Sequence, residues 1–280
     1  MPLALVISSY VAASRVGATP AAMALGALKI DPVVIPTTLL GRHPGWGQPG
    51  GGPVATATMQ AMLEAVKAQG LYDLMDGVMT GYFAAVEQVT LAADVIDAIQ
   101  EIRPQIPILV DPVIGDARGL YVRPEIAAAI RDRLLPRASV LTPNLFELGW
   151  LSGHEIATPS EIAPAARTLG RDVAVTSFRR GAEIGAAWIT DTDAIAALAP
   201  AQPKAPNGTG DLFAGALLAA LIDARPPAAA LSHAVSVCAD IADLAHQWQA
   251  PELPIVAAAA RLAAPQTTPT LWAFNGDAHE

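Results

Sequence analysis

"GVMTGYFAAVEQVTLAADVIDAIQEIRPQIPILVDPV", residues 77–113, contains a strand, a helix and a second strand in succession. The short apolar run Gly77–Met79 stops at a polar group, Thr80, followed by Gly81 and Tyr82. Apolar residues then recur at helical spacing through Leu91–Ile102, before the run Ile106–Val110 stops at Asp111 and Pro112. Neither short run alternates apolar with polar residues. Continuous apolar runs mark strands buried on both faces, as in a parallel sheet covered by helices.

The same rhythm extends in both directions. Runs at Leu3–Ile7, Pro32–Ile35, Val140–Leu141 and Val173–Val175 predict further buried strands, and Thr56–Lys67, Ile126–Leu134 and Ile162–Leu169 predict helices between them. The strand ends read "ISSY", "VMTGY", "LVDPV", "LTPN" and "VTSF". Ligands of open parallel sheets bind beyond the carboxyl ends of strands, so five such ends supplying Ser, Thr, Tyr, Asp and Asn predict one polar crevice. "AAWIT", Ala186–Thr190, followed by "DTDAIAAL", predicts an antiparallel addition at a sheet edge. The fold class is therefore α/β with a mostly parallel central sheet, in one domain over residues 1–280.

Two segments interrupt the pattern. Between Gly41 and Pro53, glycines and prolines predict a flexible loop with no regular element. It reads either as a lid or as an ordinary connection. The tail "APQTTPTLWAFNGDAHE" reads either as a final strand or as partly ordered chain.

Composition limits the partners. The 280 residues are 52% apolar and 15% charged, with a net charge of −9. No broad basic face is available for nucleic acid or an anionic membrane, so any bound phosphate must be held locally. The single cysteine, Cys238, allows no internal disulfide, fits a reducing compartment and reads as a small core residue. The opening "MPLALVISSYVAAS" reads as a first buried strand rather than a signal peptide, and the apolar run Leu212–Ile222 is too short to span a bilayer. The expected location is the cytoplasm.

"KAPNGTGDLFAGALLAALI", residues 204–222, carries the chemistry. Gly208, Thr209 and Gly210 leave backbone N–H groups open at a helix start, where the macrodipole favours anions. Asp211 falls in the first turn, within reach of a hydroxyl attacking a phosphoryl group held by those donors. The helix terminus predicts a lowered pKa for Asp211. The plainer reading is a Thr N-cap followed by a first-turn acid. No Gly-x-x-x-x-Gly-Lys-Ser/Thr loop is present.

Over roughly Leu3–Ala245, the order of these words resembles the ribokinase-like superfamily, most closely its pyridoxal kinase branch. "SSYVAASRVGATPAA" is similar to that family's ring-binding segment and implies Ser9, Val11, Val16 and Gly17 around a pyridine ring, with Tyr10 and Ala18 standing where the family has His and Asn. "PTTLLGRHPGWG" implies Thr37 and His43 as substrate contacts, and "TGYFAAVEQV" implies Tyr82 against the ring. "DPVIGDARGLYV" resembles the nucleotide-phosphate word, implying Asp111 near metal and phosphates and Tyr121 over them. "LTPNLFEL" holds the Asn-x-x-Glu pattern in Asn144 and Glu147, one helical turn apart, where amide and carboxylate can order water around Mg²⁺. "VTSF" implies Thr176 or Ser177 at the nucleotide phosphates, and "NGTGDLFAG" implies Asp211 as base. Taken singly, Asn144 also reads as a helix cap, Tyr82 as a core aromatic and His43 as a surface residue.

The resemblance implies a three-layer α/β/α fold and ATP-dependent phosphorylation of the 5′-hydroxymethyl group of pyridoxal. ATP would lie over Asp111, Tyr121, Asn144, Thr176, Ser177 and Gly210, and Asp111 and Glu147 would be the metal-side carboxylates. It further implies Mg²⁺, monovalent-cation activation and a homodimer. Basic phosphate contacts would come from Lys204, Arg118 or Arg123. The alternatives are a hydroxymethylpyrimidine kinase, a sugar or nucleoside kinase of the superfamily, and a silent relative that binds pyridoxal phosphate or ATP without turnover.

Overall fold

Leu3–Val11 (β1) is buried at all but two positions and leads into Ala18–Ala27 (α1) and Asp31–Leu40 (β2). The structure is a computed structural model and describes residues 1–274. The chain continues through Gly51–Pro53 (β3), Thr56–Ala68 (α2), Met75–Thr80 (β4), Val86–Ile102 (α3) and Ile108–Val110 (β5). A small hairpin follows, Gly115–Asp116 (β6) with Gly119–Leu120 (β7), then Pro124–Ala129 (α4), Val140–Leu141 (β8), Leu145–Ser152 (α5) and Ile162–Arg167 (α6). Asp172–Arg180 (β9), Glu183–Ile189 (β10) and Ala194–Pro200 (β11) form a meander, followed by Thr209–Ile222 (α7), Pro227–Gln247 (α8), Ala259–Ala263 (α9) and Thr270–Ala273 (β12).

The main sheet runs β12-β11-β10-β9-β8-β5-β4-β1-β2-β3. Every pairing from β2 to β9 is parallel, and β10, β11 and β12 add an antiparallel edge. The six expected parallel strands and the edge addition are all present. One face is covered by α2, α3, α4 and α6, with Leu5, Ile7, Phe83, Ile96 and Ile108 in its core. The other is covered by α1, α7 and α8, with Val6, Met79, Leu212, Leu217 and Val237. This is the three-layer arrangement expected from the uninterrupted apolar runs.

Three local differences matter. The Gly41–Pro53 segment is not devoid of regular structure: Pro44–Trp46 makes a 3₁₀ turn, and β3 pairs antiparallel with Thr38–Leu40. Gly51, at φ 82°, makes this pairing possible, because any Cβ there would overlap the Leu39 carbonyl oxygen. The tail takes its strand alternative at β12, while the part after Phe274 lies outside the described residues. Finally, α8 is long and apolar enough to cross a bilayer by length and composition, which the sequence reading overlooked. In the fold it packs on α7, β11 and β10, burying Leu231, Val235 and Ile241.

Candidate active site

At the start of α7, Gly208 has φ 93°, a left-handed conformation that places the N-cap there rather than at Thr209. A Cβ at Gly208 would collide with the Arg15 carbonyl oxygen, so the chain needs glycine for this close approach. Thr209 Oγ1 donates to the Pro206 carbonyl at 3.0 Å, and Leu212 N–H closes the first turn on the Gly208 carbonyl at 2.9 Å. The first-turn N–H groups of α7 have no earlier helical carbonyl to bind and face the crevice at the carboxyl ends of the strands.

Asp211 stands in that first turn, partly buried. A Cβ built on Gly215 would lie 2.5 Å from Ala21 Cα, so α1 and α7 lie backbone to backbone. Gly17, the φ 65° N-cap of α1, is thereby brought near Asp211, where its N–H favours the charged carboxylate. The expected lowered pKa is corrected: burial pushes Asp211 up to about 6, and the Gly17 and Asp211 N–H groups pull it only partly back. The backbone donors of the helix start do lower the value, but desolvation outweighs them.

A second carboxylate pair closes the crevice from β5 and α5. Asp111 is buried at the end of β5, where its Oδ1 accepts from Thr142 Oγ1 at 2.9 Å. Burial, followed by the charges of Glu147 and Asp211, raises its pKa well above the usual range. Glu147 and Asn144 form a reciprocal capping box at α5: Asn144 Oδ1 accepts Glu147 N–H at 3.0 Å, and Glu147 Oε2 accepts Asn144 N–H at 2.9 Å. Glu147 Oε1 also accepts Ile114 N–H at 3.0 Å, and Asn144 Nδ2 donates to the Gly115 carbonyl at 2.9 Å. These bonds fasten the segment after Asp111 to α5. Both Glu147 oxygens are engaged by backbone donors, so the carboxylate caps α5 while it faces the Asp111 side. Burial pushes its pKa to about 7, against those same N–H bonds. Tyr121, 52% exposed, overhangs this group, and burial together with Glu147, Asp111 and Asp211 holds its proton on.

The ends of β1, β2 and β4 build the other wall. Ser9, Val11 and Val16 are buried there. Tyr82 N–H donates to Ser8 Oγ at 3.3 Å, and its carbonyl accepts from Thr37 Oγ1 at 2.6 Å. Thr37 is fully buried, so its hydroxyl holds the Tyr82 backbone instead of reaching outward. Gln88, buried in the first turn of α3, donates to the Thr37 and Val54 carbonyls, both at 2.8 Å, and accepts Ala84 N–H at 3.0 Å. His43 Nδ1 accepts Gly45 N–H at 3.0 Å, making the ring a cap for the 3₁₀ turn. The basic candidates stand apart: Arg118 pairs with Asp116 at 2.6 Å, Arg123 with Glu125 at 3.1 Å, and Lys204 is exposed.

Next to the start of α7 lies a cavity of about 250 Å³. Thr176, Ser177, Thr209 and Gly210 form its polar end, and Ile184, Phe213, Val235, Cys238 and Ala242 are among its apolar walls. Ser177 is the extra residue of a β-bulge, with φ 60°, opposite the step from Gly185 to Ala186 in β10. The bulge turns the strand end toward the cavity. Cys238 is therefore a wall residue rather than plain core: its Sγ donates to the Thr209 carbonyl at 3.6 Å, and burial pushes the thiol up to about 12. The apolar face of α8 gave no sequence signal for this role, because it looks the same as a core stripe. Among the described residues no group of three or more His, Cys, Asp and Glu is arranged to hold a metal on its own.

Comparisons with known proteins agree with this geometry. The profile of the phosphomethylpyrimidine kinase family matches residues 52–250. A pyridoxine/pyridoxal/pyridoxamine kinase of Bordetella avium is 35% identical over 225 residues, covering 77% of this chain and 76% of that protein. A pyridoxal kinase PdxY of Rubrobacter xylanophilus is 31% identical over 276 residues, covering 92% of this chain and 93% of that protein. The solved structure of a pyridoxal kinase from Leishmania donovani in complex with ADP and pyridoxamine superposes with a TM-score of 0.90 at 25% identity, covering 98% of this chain and 100% of that one.

Proposed function

Because the chain belongs to the phosphomethylpyrimidine kinase family, we propose that it transfers the γ-phosphoryl group of ATP to the 5′-hydroxymethyl group of pyridoxal, giving pyridoxal 5′-phosphate and ADP. The observation that carries the reading is the start of α7: open backbone donors and a carboxylate with a pKa near 6, set between the Ser9–Tyr82 wall and the cavity beside Thr176 and Gly210.

The purine fits the apolar walls of the cavity, with the phosphates running past Thr176 and Ser177 toward the Gly208–Asp211 amides. Pyridoxal fits over Ser9, Val11, Val16 and Tyr82, while Thr37 and Gln88 keep the Tyr82 backbone in place. The 5′-oxygen attacks the γ-phosphorus in line, forming an O–P bond as the bond to the β-phosphate oxygen breaks. Its proton passes to Asp211. The α7 amides stabilise charge on the transferring group in a preorganised way.

Mg²⁺ fits one feature of this site. Asp111 is buried beside two other carboxylates, and its Oδ2 accepts no protein hydrogen bond among the described residues. Mg²⁺ is held through one or two carboxylates plus substrate phosphates, and when bound it would neutralise phosphate charge. Asp111 would be the direct holder, with Asn144 and Glu147 fixing the backbone beside it. Activation by a monovalent cation, a homodimeric assembly, a cytoplasmic location and operation as one kinase domain belong to this same reading.

The test is ATP-dependent formation of pyridoxal phosphate, followed by its absorbance, with hydroxymethylpyrimidine as competitor. Asp211→Asn should lower kcat by at least about 10²-fold while pyridoxal still binds. A folded wild type that phosphorylates only the pyrimidine, or binds without turnover, would overturn the assignment.

A further inference from the structure

Glu252 lies in the segment between α8 and α9, far along the chain from the turn after β1 and the segment between β2 and β3. Its Oε2 accepts Arg15 N–H at 3.0 Å, and its Oε1 accepts Ser14 Oγ at 3.0 Å. The same Oε1 accepts the indole N–H of Trp46 at 2.9 Å. One carboxylate thus joins the turn after β1 to the segment between β2 and β3. Ser14 strengthens the junction: it is fully buried, and its Oγ accepts His43 N–H at 3.3 Å.

Both tethered segments lead into the site. The Arg15 carbonyl lies against Gly208, so closely that no Cβ fits between them, and Leu253, next to Glu252, is among the neighbours of that same glycine. Two residues beyond Arg15, Gly17 N-caps α1, which packs backbone to backbone on α7, the helix that carries Asp211. On the other side, Trp46 and His43 follow directly on the end of β2, which carries Thr37 and abuts the ring wall. Trp46 itself is 51% exposed and has few other means of being held in place.

We propose that Glu252 is a positioning residue for the phosphoryl-transfer site, holding the 14–17 turn against α7 and docking the 41–53 segment beside the vitamer wall through Trp46. The proposal rests on the kinase reading above. Its two arms have separable consequences. Slack in the 14–17 turn moves Asp211 and the α7 amides relative to the reacting atoms, where displacements near 1 Å cost on the order of 10²-fold. Release of Trp46 loosens only the cover of the vitamer.

The experiment is steady-state phosphorylation of pyridoxal by the full chain as wild type, Glu252→Ala, Glu252→Gln, Trp46→Phe and the Glu252→Ala/Trp46→Phe double variant, each with its thermal unfolding curve. Trp46→Phe, which loses the indole N–H contact and part of the ring, should raise KM for pyridoxal about threefold and leave kcat within twofold. Glu252→Ala should lower kcat at least tenfold and raise KM by the same factor as Trp46→Phe. In the double variant KM should rise no further, because both changes break one contact. Glu252→Gln retains a single acceptor oxygen and should lie between, and it carries the kcat test if Glu252→Ala does not fold. A Glu252 variant with wild-type kcat, or KM effects that multiply in the double variant, overturns the proposal even if stability falls. A second readout does not need turnover: the ¹⁵N-labelled Trp46 indole proton, assigned by its loss in Trp46→Phe, should exchange slowly in wild type and rapidly in Glu252→Ala or Glu252→Gln. An inactive wild type with a protected indole overturns the kinase reading alone, and an unprotected wild-type indole overturns the clasp.

Discussion

Asp211 can accept a proton only as a carboxylate, and burial has moved its pKa to about 6. The rate should therefore fall as pH drops through about 6, whereas an aspartate at its ordinary value would hold a plateau down to about pH 4. A kcat/KM profile between about pH 3.5 and 8 measures this directly, and an acid limb near 4 would show that the pocket does not hold the group in its raised state. At this scale the sequence was informative about identity and poor about environment. Gly-Thr-Gly-Asp before an apolar helix singles out Asp211 as a candidate base only together with the other strand-end words, since alone it also reads as a plain helix cap. The direction of its pKa depends on how deeply α1 and α7 pack, which rests on Gly215 meeting Ala21, far away in sequence. Thr37 teaches the same lesson, since its type suited a substrate contact while its burial gives its hydroxyl to the Tyr82 carbonyl.

The capping box of α5 couples a helix end to the site. Asn144→Ala removes the acceptor for Glu147 N–H and the donor to Gly115, so it should cost about 1–2 kcal/mol in urea unfolding and reduce kcat by loosening the backbone beside Asp111. Glu147 adds a pH dependence of defined sign. Its folded pKa of about 7 lies above the ordinary 4.5, so the folded state holds the proton more tightly. Its contribution to stability is full below pH 4.5 and is lost as pH rises through about 7. Glu147→Gln should flatten the fall in urea midpoint across that window, and an unchanged slope would count against the raised value. Among the elements, buried parallel strands were the most legible because their apolar runs are continuous and their ends polar. The β2–β3 connection was not, because a three-residue edge strand built of Gly51, Gly52 and Pro53 has no side-chain pattern to read. The α8 wall was illegible for the opposite reason, since Val235, Cys238 and Ala242 match an ordinary buried stripe.

Across the whole molecule, a net charge of −9 is compounded by Asp111, Glu147 and Asp211 converging at one end of the sheet. Such a site is held at a cost in stability by the surrounding packing, the usual trade between activity and stability. Asp111→Asn should raise the melting temperature of the ligand-free protein by roughly 2–5 °C and abolish activity. Mg²⁺ should stabilise the wild type in the same assay and leave Asp111→Asn unmoved. A destabilised Asp111→Asn would mean that its bond to Thr142 outweighs the like-charge repulsion. The hydrogen bond from Ser14 to Glu252 spans 238 residues and has a consequence for biosynthesis. At 5–20 residues per second, the emerging amino-terminal strand waits roughly ten to fifty seconds before its carboxylate partner has been translated. Throughout that interval the nascent chain lacks the clasp between the turn after β1 and the 41–53 segment, so this contact forms only after Glu252 has left the ribosome.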